Sequence, residues 1–244
     1  MATTRIEWLR AEPFTLVMSS GFFAFFAHTG MLQALLQSGA RPQALAGSSA
    51  GALVGGAYAA GLLPDQLAQE LLALDRSQFW DPAPGLGLLR GRLFAQGLER
   101  LLPVRNIEDT ELPMAISVFD MLTRKTRVRT RGSLADAIRA SCAVPGLFHP
   151  VWLDGRPHWD GGILDRPGLE GVTPGTRTLF HHIESKSPWR KFDPQFDNLP
   201  SRPNMLTMTL GELPRSGPFK LDVGRKAIDL ARERALRWLA SPLP

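Results

Sequence analysis

The pentapeptide Gly47-Ser48-Ser49-Ala50-Gly51 matches the pattern G-x-S-x-G. In this pattern a sharp strand-to-helix turn holds the central serine in a strained, exposed conformation, and small neighbours let the strand and helix approach closely. The start of the helix supplies N–H groups and a positive dipole end for a developing oxyanion. Gly/Ser-rich turns that hold no catalytic residue can have the same sequence, so the strand and helix on either side are needed to support a nucleophile. Ser49 is the candidate nucleophile, because Ser48 stands at the wrong position of the motif.

A serine hydroxyl is a poor nucleophile and needs an adjacent base. In a Ser-Asp-His triad, Asp160 followed by His181 or His182 would satisfy the chain order of an α/β-hydrolase. In a Ser–Asp dyad, Asp160 would act without a histidine. The α/β-hydrolase fold places several strands before the nucleophile, whereas we predict one strand and one helix before Ser49. This difference favours the dyad.

The elements that must position Ser49 follow from apolar runs and helical spacing in the first sixty residues. The predicted elements are a strand at 14–18, a helix at 25–38 ended by Gly39, a strand at 43–46 and a helix at 50–60 ended by Gly61. Alternating strands and helices predict a parallel sheet with helices on its faces. The loops 19–24 and 47–50 should then lie side by side at the carboxyl edge of the sheet, where ligands bind in such folds.

The rest of the chain continues this α/β pattern less regularly. Predicted helices cover 64–74, 93–102, 133–142 and 223–239, and predicted strands cover 112–119, 127–130, 177–183 and 204–210. The Pro/Gly-rich connection 81–91 is a candidate mobile lid, and the polar stretch 185–203 is predicted as a surface loop. We therefore expect one three-layer α/β domain over residues 1–244, with a mostly parallel central sheet and helices on both faces.

Composition excludes several classes of protein. With 44% hydrophobic and 21% charged residues, the chain should fold rather than remain disordered. The single cysteine, Cys142, cannot form an internal disulfide, which fits a reducing compartment. The apolar segment 14–27 is interrupted by Ser19-Ser20-Gly21 and predicts a buried strand and loop, not a signal peptide or membrane span. We expect a cytoplasmic protein, with peripheral membrane contact as an option.

Three separated blocks resemble the patatin-like phospholipase family. The first is FAHTG at 26–30, the second is the Ser49 motif, and the third is ASCAVPGLF at 140–148 followed by Asp154-Gly155 and Asp160-Gly161-Gly162. The blocks are similar to the family's F-A-H-x-G, G-x-S-x-G, A-S-x-A-x-P-G-x-F and D-G-G segments, in the same order. The resemblance extends over roughly residues 14–170.

The resemblance implies a patatin-like fold and a Ser49–Asp160 dyad. Asp160 would accept the Ser49 proton and later activate water, and Gly47, Gly51, Gly161 and Gly162 would leave room around the dyad. It also implies lipid esters as substrates, with no metal and no cofactor. An alcohol or amine acceptor in place of water would make the protein an acyltransferase, and the sequence does not distinguish the two.

The loop after the first predicted strand departs from the family pattern. The family has G-G-G-x-R/K-G, whose backbone N–H groups hold the oxyanion, whereas this chain has SGFFAF at 20–25. An oxyanion hole from Gly21 and Phe22 would need no particular side chain, although phenylalanine resists the positive φ that glycine adopts. The phenylalanines would either line an acyl groove or distort the site, leaving a weak or non-catalytic lipid-binding or interaction protein. For Phe25 and Phe26 we expect a place in the core.

The net charge of +5 favours anionic partners. Zinc-ligand spacing and long basic runs are absent from the sequence, so we predict no nucleic-acid partner. Basic residues alternate at 125, 127, 129 and 131, which suits either an anionic membrane surface or, preferably, a charged edge strand that resists pairing. His181 and His182 should point to opposite faces of a strand and not chelate a metal together. Cys142 is expected to fill core.

Overall fold

The computed structural model describes residues 3–184 and 199–243. The helices are α1 (Arg5–Ala11), α2 (Phe25–Gln37), α3 (Ala50–Ala59), α4 (Pro64–Leu72), α5 (Arg92–Leu101), α6 (Leu134–Ser141) and α7 (Gly224–Ala240). The strands are β1 (Thr15–Met18), β2 (Ala44–Ser48), β3 (Gly87–Leu89), β4 (Met114–Asp120), β5 (Lys125–Arg129), β6 (Gly146–Phe148), β7 (Val151–Leu153), β8 (Arg156–Asp160), β9 (Thr178–His182) and β10 (Met205–Thr209).

The central sheet is mostly parallel, as the sequence predicted. Strands β10, β9, β1, β2 and β4 are hydrogen-bonded in that order, and all these pairs are parallel. Strands β5 and β8 pair antiparallel with β4, and β7 pairs antiparallel with β8. Helices flank this sheet, so the chain has the mixed α/β class that the sequence indicated.

The register around β4 brings two distant parts of the chain together. Ser48 at the end of β2 pairs with Ser117 of β4. The next residue of β4, Val118, pairs with Asp160 at the end of β8. The ends of β2 and β8 therefore meet at neighbouring positions of one strand, and the turns that follow them, at 49 and 161, lie side by side.

The two faces of β1 show how the core is divided. Leu16 and Met18 belong to the main hydrophobic cluster, which also contains the buried residues of α2 and α3. Val17 points to the other face, where it packs in a smaller cluster with Leu169 and Val172 from the segment after β8. This alternation is the period-two pattern of a strand that is buried on both sides.

Helix α7 packs closely on α2, and a glycine makes that approach feasible. A Cβ atom on Gly30 would lie 2.2 Å from the carbonyl oxygen of Ile228. The buried face of α7 consists of Gly224, Ala227, Ile228, Ala231, Ala235 and Leu239. The predicted amphipathic C-terminal helix is confirmed, and its basic residues lie outside this buried face.

Most predicted elements are present with ends shifted by a few residues, and Gly39 (φ 73°) and Gly61 (φ 98°) follow α2 and α3 as expected. Helix α1, begun by the capping box of Thr4 and Glu7, was not predicted. Nor were the short strands β6 to β8. Of the predicted surface loop 185–203, residues 185–198 lie outside the described residues.

The candidate lid 81–91 is tied to its surroundings by hydrogen bonds. It contains β3, which pairs in parallel with β6. The Asp81 carboxylate accepts hydrogen bonds from the backbone N–H groups of Gly91, Arg92 and Leu93 at the start of α5. In this structure the segment is therefore anchored at the start of α5 and along β6.

None of the helices in the described ranges combines the length and the apolarity needed to cross a membrane.

Candidate active site

Ser49 lies between β2 and α3 in a strained backbone conformation. Its φ of 53° and ψ of −120° are rarely adopted by residues other than glycine, and its side chain is largely buried. The backbone N–H of Ser49 donates a hydrogen bond of 2.8 Å to the Ser141 hydroxyl, which in turn donates to the Ser117 carbonyl oxygen at 2.7 Å. The end of α6 thus holds the turn in place.

The Ser49 hydroxyl donates a hydrogen bond of 2.7 Å to Oδ2 of Asp160. The other carboxylate oxygen, Oδ1, accepts a 2.7 Å hydrogen bond from the backbone N–H of Gly162. Asp160 is therefore held by one contact at each oxygen, with Oδ2 directed at the serine. The two residues that the sequence named as nucleophile and base are brought together.

Burial sets the acidity of this carboxyl group. Asp160 is 5% exposed, and loss of hydration raises its pKa to about 6 against the lowering effect of its hydrogen bonds from Ser49 and Gly162. A carboxylate with this pKa is ionised at neutral pH yet is more basic than an exposed aspartate. Such a group suits proton transfer near pH 7.

Four glycines of the two motifs stand where a side chain would collide. An added Cβ would lie 2.0 Å from the Met18 carbonyl oxygen at Gly51, and 2.1 Å from the Ser117 carbonyl oxygen at Gly161. At Gly47 and Gly162 the nearest atoms would lie at 2.6 Å and 2.4 Å. These approaches are the physical reason for glycine at these positions.

His181, one of the two histidines considered for a triad, is hydrogen-bonded to another histidine and not to Asp160. Nδ1 of His181 lies 2.8 Å from Nδ1 of His28, and Nε2 of His28 lies 2.9 Å from the Ser19 carbonyl oxygen. A carbonyl oxygen only accepts, so His28 carries its proton on Nε2 and its Nδ1 accepts from His181. Burial lowers the pKa of His28 to about 4 and the pKa of His181 well below its usual value, so both rings are neutral.

The loop that departs from the family pattern forms a turn closed by a 3.0 Å hydrogen bond from the Ala24 N–H to the Gly21 carbonyl oxygen. Its positive φ, 55°, falls on Phe23, and the Phe22 side chain is 59% exposed. Neither Gly21 nor Phe22 donates its backbone N–H to another described residue. Phe26 lies in the core as predicted, whereas Phe25 also faces the cavity described next.

A cavity of about 960 Å³ opens beside Ser49, and Gly21 and Phe22 also line it. The volume lies near the upper end of the range for small-molecule sites. Apolar side chains dominate its wall, among them those of Phe23, Leu53, Leu71, Leu93, Phe94 and Phe148. Cys142 packs against the main hydrophobic cluster, as expected, and its thiol also contacts Ser49 and faces this cavity, while burial raises its pKa well above the usual value.

Two of the alternating basic residues of β5 form ion pairs with aspartates of the same chain. Arg127 lies 3.5 Å from Asp120, and Arg129 lies 2.7 Å from Asp154. These ion pairs agree with the preferred interpretation of a charged strand at the margin of the sheet. In the part of the chain that the structure describes, groups of three or more His, Cys, Asp or Glu side chains placed to hold a metal are absent.

Among the features that the sequence did not reveal, Ser141 is the clearest. It belongs to the third block and had no predicted role, yet its hydroxyl accepts a hydrogen bond from the backbone N–H of Ser49. Because Ser141 lies in a helix among buried residues, its local sequence does not indicate a role at the site. A buried serine at the end of a helix, close in sequence to the base, is the pattern that would have identified it.

A serine on a strand-to-helix turn, hydrogen-bonded to a buried aspartate on a mostly parallel sheet, places the chain among α/β proteins with a Ser–Asp site. Comparison with known sequences specifies which group. The chain belongs to the patatin-like phospholipase family, whose sequence profile matches residues 16–172.

Two relatives illustrate this membership. An uncharacterized NTE family protein of Mycobacterium tuberculosis is 35% identical over 167 residues, which cover 67% of this chain and 46% of that protein. The Lysophospholipase NTE1 of Mycosarcoma maydis is 28% identical over 173 residues, or 68% of this chain and 9% of that protein. The chain therefore spans less than half the length of these relatives.

Solved structures show the same fold at low sequence identity. The crystal structure of VipD from Legionella pneumophila matches with a TM-score of 0.64 and 15% identity, covering 93% of this chain and 67% of that chain. The ExoU-SpcU heterodimer from Pseudomonas aeruginosa matches with a TM-score of 0.52 and 17% identity, covering 93% of this chain and 51% of that chain.

Proposed function

We propose that this protein is a lipid acyl hydrolase that uses Ser49 as nucleophile and Asp160 as its base. The observation that carries the proposal is the 2.7 Å hydrogen bond from the Ser49 hydroxyl to Asp160 at the wall of a large apolar cavity. Membership of the patatin-like phospholipase family supports a lipid ester as the substrate.

The proposed reaction has two steps. Ser49 Oγ attacks the ester carbonyl while its proton passes to Oδ2 of Asp160, and the leaving alcohol then takes that proton. Water, deprotonated by Asp160, attacks the acyl-enzyme, and the proton then passes from Asp160 to Ser49 Oγ as the fatty acid leaves. In each step the oxyanion is held by the N–H groups of Gly21 and Phe22, which are free to donate to a ligand.

The cavity supports an apolar acyl chain as the part of the substrate that is bound most extensively. Burying methylene groups against its phenylalanine and leucine side chains contributes about 0.8 kcal/mol for each group. The charged side chains among its described lining residues are Glu70 and Arg100. The name of the Mycosarcoma maydis relative supports a lysophospholipid as the first substrate to test. Peripheral contact with a membrane belongs to the same proposal, since the substrate resides there.

Two other functions are compatible with the same dyad. The positive φ at Phe23 and the loss of family glycines favour a non-catalytic lipid-binding protein. An alcohol or amine that enters the cavity in place of water would make the protein an acyltransferase. The first alternative predicts no activated serine, and the second predicts acyl transfer to an added acceptor in preference to hydrolysis.

The decisive experiment is labelling with a fluorophosphonate probe, which reacts with activated serines. We expect labelling of the wild type, none of Ser49→Ala and much less of Asp160→Asn. Ser48→Ala is the matched control, because the buried Ser48 hydroxyl has no hydrogen-bond partner among the described residues and its removal should leave labelling unchanged. A folded wild type that is not labelled would remove the hydrolase proposal in favour of the lipid-binding alternative.

A further inference from the structure

Five aromatic side chains, here called the aromatic rim, form two contacting groups at the edge of the cavity. They are Phe22, Phe23, Phe79, Trp80 and Phe219. Ring centroids lie 4.9 Å apart for Phe22 and Phe23, 6.0 Å for Phe23 and Phe79, and 5.5 Å for Trp80 and Phe219. One group includes the loop after β1 and the other the segment before α7, and the backbone links them because Phe79 and Trp80 are adjacent in sequence.

The ends of the aromatic rim face solvent at the edge of the cavity. Phe22 is 59% exposed and Phe219 is 69% exposed. The first four residues of the rim line the cavity, as does Pro218 beside Phe219. Phe219 is carried outward by a tight turn in which Gly217 and Lys220 exchange backbone hydrogen bonds. Exposed large apolar side chains that cluster at a cavity mark an interaction surface.

Cations accompany these aromatic side chains. The Arg76 guanidinium lies over both rings of the exposed pair, 5.5 Å from the Trp80 centroid and 5.0 Å from the Phe219 centroid. Lys220, next in sequence to Phe219, is exposed. A membrane interface accommodates this combination, because aromatic rings lie at the level of the headgroups while cations approach the phosphates.

We propose that the aromatic rim is the surface by which this protein docks on a phospholipid bilayer. Phe22 and Phe219 enter the interface, and Arg76 and Lys220 lie toward the lipid phosphates. The cavity then opens against the membrane, so that an acyl chain reaches Ser49 without crossing water. This orientation rests on the proposed function, because it assigns the cavity to the acyl chain of a lipid substrate. Docking itself does not require catalysis.

The surface proposed here differs from the basic strand β5. There, Arg127 and Arg129 are ion-paired within the chain, and the strand contributes nothing to the cavity wall. Docking through the aromatic rim should therefore depend on apolar insertion and persist on zwitterionic lipid. Docking through β5 would require anionic lipid.

The test uses full-length Ser49→Ala protein, which leaves the lipids intact, and flotation with vesicles of phosphatidylcholine alone or with phosphatidylglycerol. We expect binding to both, with Phe219→Ser lowering the partition coefficient about tenfold, as expected for losing one inserted ring. The matched control is Trp152→Ser, which removes another exposed aromatic side chain, 67% exposed on β7, and should change partitioning less than twofold. Arg76→Gln should weaken binding more on the anionic vesicles than on the zwitterionic ones.

The active protein separates docking from chemistry. Phe219→Ser should retain the wild-type rate on a soluble short-chain nitrophenyl ester and lose about tenfold on vesicle-borne lipid. Absence of vesicle binding, binding to anionic vesicles alone, or equal loss in Phe219→Ser and Trp152→Ser would overturn the docking proposal. Vesicle binding by a wild type that no fluorophosphonate labels would instead remove the hydrolase proposal and leave the docking surface standing.

Discussion

The Ser141 hydroxyl accepts a 2.8 Å hydrogen bond from the backbone N–H of Ser49, and so ties the strained nucleophile turn to the last residue of α6. The same hydroxyl donates to the Ser117 carbonyl oxygen of β4. One side chain therefore connects Ser49, the helix α6 and the strand β4, which pairs with Asp160 of β8.

The first prediction concerns this connection. Ser141→Ala leaves the Ser49 N–H buried without an acceptor, which should lower the free energy of unfolding by about 1–3 kcal/mol. The turn should also relax from its strained geometry, and kcat should fall at least about tenfold with little change in KM. Urea denaturation and steady-state kinetics on a soluble ester measure the two effects.

Ser133→Ala provides the control, since Ser133 caps the start of the same helix and its side chain is exposed. It should cost about 1 kcal/mol of stability and leave kcat unchanged. If Ser141→Ala lowered stability alone, with kcat at the wild-type value, the proposed positioning role would be wrong.

The second prediction concerns the pH dependence of the rate. Asp160 must be ionised to accept the Ser49 proton, and burial raises its pKa to about 6. The value of kcat/KM should therefore be constant at neutral pH and fall about tenfold for each pH unit below about 6. Rates on a soluble ester between pH 4.5 and about 8 test this, with circular dichroism to verify folding. A rate that stays flat down to pH 5 would contradict it.

The third prediction concerns the pH dependence of stability. The raised pKa of Asp160 means that, between about pH 4 and 6, the unfolded chain loses this proton while the folded protein keeps it. The contribution of Asp160 to stability is therefore present at low pH and lost as pH rises through about 6. Relative to the wild type, Asp160→Asn should gain roughly 3 kcal/mol of stability between pH 4 and pH 7.

Denaturant unfolding of both proteins across this pH range measures the difference in their unfolding free energies. The contributions of the other titrating groups are the same in both proteins and cancel in this difference. If the difference in unfolding free energy between the two proteins does not change with pH, burial does not penalise the Asp160 carboxylate.

The fourth prediction concerns the buried histidine pair. His28 donates to the Ser19 carbonyl oxygen just before the loop with Gly21 and Phe22. His28→Leu removes this donor and also the acceptor for His181, so the loop should shift and kcat should fall by about tenfold or more. His28→Gln places an amide donor near the position of Nε2 and should recover much of the loss.

Kinetics with a soluble ester, set beside the melting temperatures of both variants, tests this positioning role. Equal losses of kcat in the leucine and glutamine variants would mean that His28 contributes packing and not the hydrogen bond to Ser19.

Local patterns were sufficient to predict the first half of the site. The β1–α2–β2–α3 order follows from apolar runs and glycine stops, and it places Ser49 at the sheet edge. Asp160 was identified from the D-G-G segment through the family resemblance and not from its surrounding structure. Strands β6 to β8 have three to five residues, with Pro157 and His158 inside β8, and so lack a period-two apolar pattern.

Contacts between distant residues account for what the sequence did not reveal. The contact of Cys142 with Ser49 and its place on the cavity wall were not predicted, because they bring together parts of the chain that are far apart in sequence. The aromatic rim likewise depends on Phe219, which lies far along the chain from Trp80 and reaches it only through tertiary packing. Patterns of local sequence carry no information about such encounters.

The proposed oxyanion donors are main-chain amides, and this has an evolutionary consequence. Mutations at position 22 can exchange a bulky ring for a small or polar group while the N–H that meets the substrate stays in place. Under this proposal, chemistry and selectivity depend on different atoms of one residue. Natural variation at this position would therefore change membrane docking and the lipids that homologous proteins accept, while the proposed oxyanion donors stay in place.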